Sequence, residues 1–365
     1  IDMLKEYAVK NYPDSKTDLF SIFMDVCIDR LKDGGKYGMI NMQSWMFLSS
    51  FETLRKKILN TQHIDSLLHL GPRTFDELSG EVVQNAVFII SKANPQIVEG
   101  VYYRLIEGKN CAAKCEMYNA KKNCYTVADQ KQFEQIPGAP ISYWVSKAII
   151  ESFSQIPVSS VLQTREGMAT ADNDRFLRMW YEVDKRLFTK LSKTASKWYP
   201  YNKGGQYRKW YGNREFVVNW ENDGFEIKNN IDPITKRIRS HNYNGEYGLK
   251  ECATWTAISS DGMSMRYCEE GFLWDSKGAS GFANINLKYI IGLLNSIVTF
   301  EYLKFLSPTL EIKVGHISKV PYIESNVQTI SNIVSDLIRI SSSDWDAHET
   351  SWDFKTNELK PRRIG

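Results

Sequence analysis

The sequence predicts an α/β sheet over roughly its first ninety residues, followed by a second region of mixed α+β character. Three observations carry this. Helical periodicity alternates with short apolar runs between residues 17 and 90; that rhythm stops after Lys92; and from Val158 to Pro321 short aromatic strands are separated by Gly and Asn turns. At 365 residues the chain exceeds one ordinary domain. With 42% hydrophobic and 24% charged residues it has the composition of packed cores rather than of disorder.

TDLFSIFMDVCIDRLKD (17–33) places Leu19, Phe20, Phe23, Val26, Cys27 and Leu31 at helical spacing, and Gly34-Gly35 stops the helix. KYGMIN (36–41) follows, short and mostly apolar, as a buried strand of a parallel sheet would be. Past the loop QSWMFL, SSFETLRKKILN reads as a second helix with Glu52 in its first turn. HIDSLLHLG and VVQNAVFII then give two strands joined by a loop that contains Phe75. Beyond Pro95 and Gly100 come a strand-like VYYRLIEG and a polar, Lys-rich stretch. IPGAPISYWVSKAIIESF (136–153) combines a Pro-Gly turn with a short amphipathic helix, and the domain boundary falls near it. The expected division is therefore 1–92 for the sheet, 93–139 for a connector and 140–325 for the second domain, with 326–365 a C-terminal helix and tail. Within the second domain EFVVNW and CATWTAIS are strands, and NLKYIIGLLNSIVTFEYLKFL (286–306) is one long helix ended by Pro308. TISNIVSDLIRIS supplies the closing amphipathic helix.

Several function classes are disfavoured. Apolar runs such as NAVFII and YIIGLLNSIV fall short of the roughly 20 residues that a bilayer crossing needs, so a soluble protein is expected. The opening residues carry no secretory signal, and Ile1 suggests a chain that starts within a longer one. Six irregularly spaced cysteines then indicate free thiols in a reducing cytoplasm. Cys111, Cys115 and Cys124 fit no paired zinc-ligand spacing, so no metal is expected. The five histidines are scattered, and no Ser or Cys sits in a nucleophile elbow.

Net charge is only +3, but its distribution is uneven. Between Lys185 and Arg214 there are nine Lys or Arg and no acid, interleaved with Phe188, Trp198, Tyr199, Tyr201, Tyr207, Trp210 and Tyr211. Such a stretch either neutralises phosphates and lays rings on bases, or forms a solvated basic face over an aromatic cluster.

The words themselves are more specific than the periodicity. TDLFSIFMDVCIDRLKDGGKYGMINMQSWM resembles the stretch that follows the catalytic motif in amino-methylating DNA methyltransferases of the TaqI-like gamma class. IPGAPISYWVS (136–146), EGMATADNDRFLRMWYEV (166–183), KWYPYNKGGQYRKWYGNREFVVNWENDG (197–224) and LLNSIVTFEYLKFLSPTLEIKVGHISKVP (293–321) extend the resemblance, in order, to the large adenine methyltransferases of BREX phage-defence systems and related restriction-modification enzymes. The resemblance implies a partial Rossmann-like methyltransferase sheet, with the strand VVQNAVFII inserted antiparallel, and a target-recognition domain. It further implies a parent that binds double-stranded DNA, flips an adenine and methylates its amino group from S-adenosylmethionine, with other defence-system subunits as possible partners. The family's aspartate/asparagine-Pro-Pro-aromatic motif is missing here, since the sequence contains no Pro-Pro pair. Gly34-Gly35 precedes a strand rather than a helix, the wrong side for a cofactor turn. The chain alone is thus expected to recognise DNA, to bind no S-adenosylmethionine and not to methylate.

By resemblance Phe75 stacks on the extruded adenine; its plainer reading is a core Phe beneath a loop. For DNA contact the chemistry singles out Lys203, Gln206, Arg208 and Lys209, projected by the Gly204-Gly205 turn of a hairpin-like loop. Arg175 and Arg178 form a second group, next to Asp172 and Asn173, which suit base readout or, better, a helix cap for inward-facing Phe176, Leu177 and Trp180. Arg237 and Arg239 with His241 form a third, and Arg266 beside Ser264 a fourth. Two rival classes stay open: a DNA-binding specificity module with no catalytic half, and a carbohydrate-binding protein whose ten Trp and nineteen Tyr serve as sugar platforms.

Overall fold

Two helices open the chain, α1 (Asp2–Asn11) and α2 (Leu19–Arg30), the second capped by Asp18, whose carboxylate accepts the Phe20 amide. The structure, a computed structural model, describes residues 2–75, 83–92, 99–193, 196–259 and 261–356. It divides into two units, Ile1–Ser154 and Gln155–Gly365.

In the first unit β1 (Lys36–Met42), α3 (Glu52–Thr61), β2 (His63–Gly71), β3 (Asn85–Ser91), β4 (Gly100–Arg104), α4 (Cys111–Asn119), β5 (Cys124–Val127) and α5 (Lys147–Ser152) follow α2. The strands form one sheet in the order β1-β3-β2-β4-β5. β3 inserts antiparallel between β1 and β2, while β2 and β4 run parallel. The carboxyl ends of β1, β2 and β4, at Met42, Gly71 and Arg104, therefore share one edge of the sheet. Met24, Trp45, Phe51, Leu54, Ile58, Leu67, Phe88 and Tyr102 fill the core against one face.

Two expectations change here. β1 is not a strand buried on both faces: it is an edge strand whose Lys36, Gly38 and Ile40 are exposed while Asn41 is buried, since only one of its sides pairs, with β3. The stretch 93–139 is no mere connector either. β4 pairs in parallel with β2, and β5 pairs antiparallel with β4, so this stretch completes the sheet.

Arg55, fully buried on α3, fastens the 136–141 segment to that core. Its guanidinium donates to the carbonyl oxygens of Trp45 (2.8 Å), Leu48 (2.7 Å), Gly138 (2.6 Å) and Ala139 (3.1 Å). Burial pulls its pKa down to about 10, still far above neutrality, so the cation persists on carbonyl dipoles.

The second unit holds two four-stranded sheets. One orders β11 (Met265–Cys268), β10 (Cys252–Trp255), β13 (Ser280–Ala283) and β6 (Leu162–Arg165), all antiparallel. The other orders β12 (Leu273–Trp274), β8 (Trp198–Asn202), β9 (Phe216–Asn219) and β7 (Leu177–Met179). A four-residue helical turn, α6 (Asn173–Phe176), and α7 (Glu221–Lys228), which has left-handed backbone at Asn222, Asp223 and Gly224, flank β7 and β9. Loop residue Trp210 bridges β11 at Arg266 and so joins the sheets.

The long helix expected over 286–306 is two, α8 (Leu287–Leu294) and α9 (Ile297–Leu306), bent by 66°. Asn295 leaves the helix to bond both backbone groups of Met265 at 2.9 Å, and Ser296 then caps α9 by accepting the Thr299 amide. After α10 (Val314–Ile317), α11 (Val327–Asp346) packs on α8. Gly292 permits that approach, because a Cβ there would stand 3.0 Å from Ile330 and Val334. Among the described residues no single helix is long and apolar enough to cross a membrane.

Candidate nucleic-acid interface

The first unit presents its chemistry at the shared carboxyl edge of the sheet. His69, near the end of β2, is buried. Its Nδ1 lies 3.1 Å from the Tyr143 hydroxyl and its Nε2 2.8 Å from Gln43 Oε1. Burial, together with the charges of Arg104 and Lys114, lowers its pKa to about 3, so the ring is neutral and both nitrogens are engaged. It is a structural histidine, not a free base. Arg104 lies 5.3 Å over the Trp144 ring at the same edge. The sequence pointed to none of Gln43, His69, Arg104 or Tyr143, although the IPGAPISYWVS block held part of the signal. Phe75, four residues past β2, is 42% exposed and so is not a core residue beneath a loop. No described connection here supplies a glycine-rich strand-to-helix turn. The link from β1 to α3 has no glycine, and that from β4 to α4 has only Gly108, whose carbonyl accepts the Lys114 ammonium at 2.8 Å. Cys111, Cys115 and Cys124 are exposed, and among the described residues no group of three potential ligands is arranged to hold a metal.

In the second unit the acid-free run behaves differently from its linear appearance. Acids from elsewhere neutralise most of it: Arg186 pairs with Asp184 (2.6 Å), Lys190 with Glu269 (3.0 Å), Lys197 with Glu221 (2.7 Å) and Arg208 with Asp344 (3.0 Å). Arg214, buried, makes a bidentate pair with Glu269 and lies 3.8 Å over the Tyr211 ring. Burial works against the Glu269 charge, but Arg214 and Lys190 outweigh it and bring its pKa down to about 2.

β8 and β9 do form the expected hairpin, with 203–215 as its loop. Inside that loop the candidate cations are held by the protein itself. Lys203 sits 4.9 Å over the Phe216 ring, and Lys209 donates to the Asn295 carbonyl at 2.9 Å. The Arg208 stem crosses Gly212 to reach Asp344 and the Trp345 ring; a Cβ on Gly212 would stand 2.2 Å from Arg208 Cδ. Gln206 is exposed. Arg266 needs correcting outright: at 2% exposure its guanidinium cannot reach a phosphate, and it donates instead to the carbonyls of Arg208 and Ser264 and to Thr256 Oγ1.

Met168, Ala169 and Thr170 act as a spine for the remaining loops. Met168 bonds the backbone of Trp274 and Ser276, and its carbonyl accepts the Tyr201 hydroxyl. Ala169 exchanges both backbone bonds with His241 at 2.8 and 2.9 Å. The Thr170 carbonyl accepts Ser240 Oγ at 2.6 Å and Asn230 Nδ2 at 3.3 Å. Asp172 caps α6 through the Arg175 amide, and Asn173 bonds Thr170 Oγ1, so both serve the turn rather than present themselves to a base. Arg175 pairs with Glu226 at 3.2 Å, and Arg178 donates to the Asp174 and Leu177 carbonyls. By contrast Lys236, Arg237 and Arg239 are exposed on the hairpin rooted at Asn230 and Ser240, and among the described residues none of their side chains has an ion pair or a hydrogen bond.

Residues 1–75 match the family model of the Eco57I restriction-modification methylase. Over 98% of its length the chain is 42% identical to the adenine-specific methyltransferase PglX of Lacticaseibacillus casei (strain Zhang). The chain is a homologue of this adenine-specific methyltransferase. A second relative, the adenine-specific methyltransferase BrxX of Escherichia coli O9:H4 (strain HS), is 37% identical, again over 98% of the chain. The chain spans 31% of PglX and 29% of BrxX. In backbone it is similar to the restriction-modification enzyme MmeI in complex with DNA, with a TM-score of 0.59 at 10% identity, covering 97% of the chain and 48% of MmeI. It is also similar to a nuclease-deletion mutant of LlaGI with a DNA substrate mimic, with a TM-score of 0.51 at 12% identity, covering 89% and 37% of the two chains. At these identities the structural likeness establishes the fold, a mixed α/β architecture shared with restriction-modification methyltransferases.

Proposed function

We propose that this chain supplies duplex DNA recognition to an adenine-specific DNA methyltransferase of a phage-defence or restriction-modification system, with residues 1–154 forming the rear of a Rossmann-like catalytic sheet. The observation that carries the reading is the similarity to PglX along nearly the whole chain. Methyl transfer from S-adenosylmethionine to an adenine amino group belongs, on this reading, to residues beyond these 365, because no Pro-Pro-aromatic motif lies among them. In the longer enzyme Phe75, exposed at the carboxyl edge of the sheet, stacks on the flipped base. The protein acts in the cytoplasm, where its thiols stay reduced.

The site of DNA contact differs in emphasis from the sequence expectation. Lys236, Arg237 and Arg239 are the principal phosphate-binding group, since they are exposed and among the described residues none of their side chains has an ion pair or a hydrogen bond. Lys203 and Gln206 support them from the β8–β9 loop. Arg175, Arg178, Arg208 and Lys209 mainly hold the loops in shape.

Fluorescence anisotropy with labelled duplex DNA tests this reading, using the chain as it stands and an oligosaccharide array as the control. Binding to duplex that weakens steeply with salt supports it. Failure to bind duplex, or sugar binding indifferent to salt, removes it.

A further inference from the structure

Asn230–His241 is a hairpin with a rigid root and an apolar, basic tip. At the root the buried Asn230 amide donates to Ser240 Oγ at 3.0 Å, and both side chains bond the Thr170 carbonyl. Higher up, Ile231 bridges Ile238, Asp232 N donates to the Arg237 carbonyl at 2.9 Å, and Arg239 N donates to the Asn230 carbonyl at 2.8 Å. The tip is preset. The Asp232 carboxylate accepts the Ile234 and Thr235 amides at 3.0 and 2.7 Å, and Pro233 between them fixes its own φ. On this rigid support Ile234 is 88% exposed, with Ile231 and Ile238 also exposed beneath it. An aliphatic side chain held that far into solvent by an ordered turn has no role in the fold of its own unit.

The surrounding charge says what it meets. Lys236, Arg237 and Arg239 flank the three isoleucines, and the hairpin's one acid, Asp232, is bound to the turn's own amides with the charge of Arg239 nearby, so the tip stays net positive. At the root the exposed rings of His241 and Tyr243 stack at 5.2 Å with 7° between their planes, a flat shelf beside the cations. Cations around a stiff apolar point match a polyanion whose interior is a stack of apolar faces.

We propose that this hairpin is a wedge for duplex DNA: Lys236, Arg237 and Arg239 hold phosphates on either side of a groove while Ile234 enters a base step, opens the stack and bends the duplex. The proposal rests on the DNA-recognition reading and adds a deformation to it. Bending generates sequence preference at positions no side chain reads, because pyrimidine–purine steps open more easily than others. Preset tip geometry suits the task, since little conformational entropy is lost when Ile234 docks.

Energy transfer between fluorophores at the two ends of a duplex reports the bend, and anisotropy on the same samples reports affinity. The full chain, Ile234→Ser and Ile234→Met would be compared, with thermal melts to establish that all three fold alike. The wild type is expected to shorten the end-to-end distance. Ile234→Ser should abolish the bend and weaken binding by about tenfold, as losing one buried aliphatic side chain implies, while Ile234→Met retains both. Duplex binding without a bend, or an Ile234→Ser variant that bends as the wild type does, would overturn the wedge and leave DNA recognition standing. Absence of duplex binding, with or without binding to anionic phospholipid vesicles, would overturn recognition and wedge together.

Discussion

The hydroxyl of Ser240 donates to the carbonyl oxygen of Thr170 at 2.6 Å, and both residues are buried. That bond ties the hairpin bearing Lys236, Arg237 and Arg239 to the block that also carries Arg175 and Arg178. Ser240→Ala leaves the Thr170 carbonyl and the Asn230 amide short of a partner, which should cost about 1–3 kcal/mol in a urea melt. Because the hairpin loses its root, duplex affinity should fall as well, although no residue at the tip has changed.

Arg208 and Lys209 are predicted to matter more to the fold than to DNA. Their head groups are held by Asp344 and by the Asn295 carbonyl, and Arg208 also covers the Trp345 ring. Arg208→Ala with Lys209→Ala should lower the melting temperature measurably, because the aliphatic stems no longer pack on the loop. The dependence of DNA binding on salt should barely change.

His69 makes stability fall in acid. A free histidine takes a proton near pH 6.5, whereas burial and the nearby cations hold His69 down at about 3. Below 6.5 the unfolded chain binds a proton that the folded chain refuses. Stability therefore declines as pH drops from 6.5 toward 3, by up to about 1.4 kcal/mol per pH unit. His69→Gln should lose that decline; urea melts of both proteins at neutral pH and at about pH 5 compare them.

Phe75 should be nearly silent in the isolated chain, since it is exposed and supports no core. Phe75→Ala is expected to change its stability by less than about 0.5 kcal/mol. In the longer methyltransferase the same substitution should weaken stabilisation of the flipped adenine, read as lower fluorescence of 2-aminopurine placed at the target base. Unchanged flipping and turnover there would return Phe75 to the surface as an ordinary loop residue.

What the sequence made legible was local. The helix over 19–30 and the strands at 36–42, 63–71 and 85–91 are written in periodicity, although the helix ends with Leu31 as its C-cap, before the expected Gly-Gly stop, and the antiparallel insertion of the last strand is implied by the family resemblance rather than by the pattern. What it hid depends on distant partners. Lys190 and Arg214 lose their free charge to Glu269, and Arg208 to Asp344, residues 55 to 136 positions away. Arg266 looked like a surface cation because nothing nearby announces that its strand runs through a core. The bend after α8 comes from Asn295 and Ser296, whose polar side chains can sit in a helix but here bond Met265 and cap α9 instead. The stretch 93–139 read as a connector because β4 finds its partner, β2, more than thirty residues earlier. Ile234 drew no notice in a polar loop, and only the turn geometry shows that it points away from the fold.

The central claim is that DNA meets this chain at the hairpin rooted on Thr170. Its most direct test is the slope of log affinity for duplex against log salt, measured for the wild type and for two triple variants. One carries Gln at Lys236, Arg237 and Arg239, the other Gln at Lys203, Arg208 and Lys209. The account predicts that the first variant flattens the slope by roughly 0.9 for each phosphate it no longer neutralises, and that the second changes it much less. A first variant with the wild-type slope, or a second that flattens it more than the first, would contradict the account.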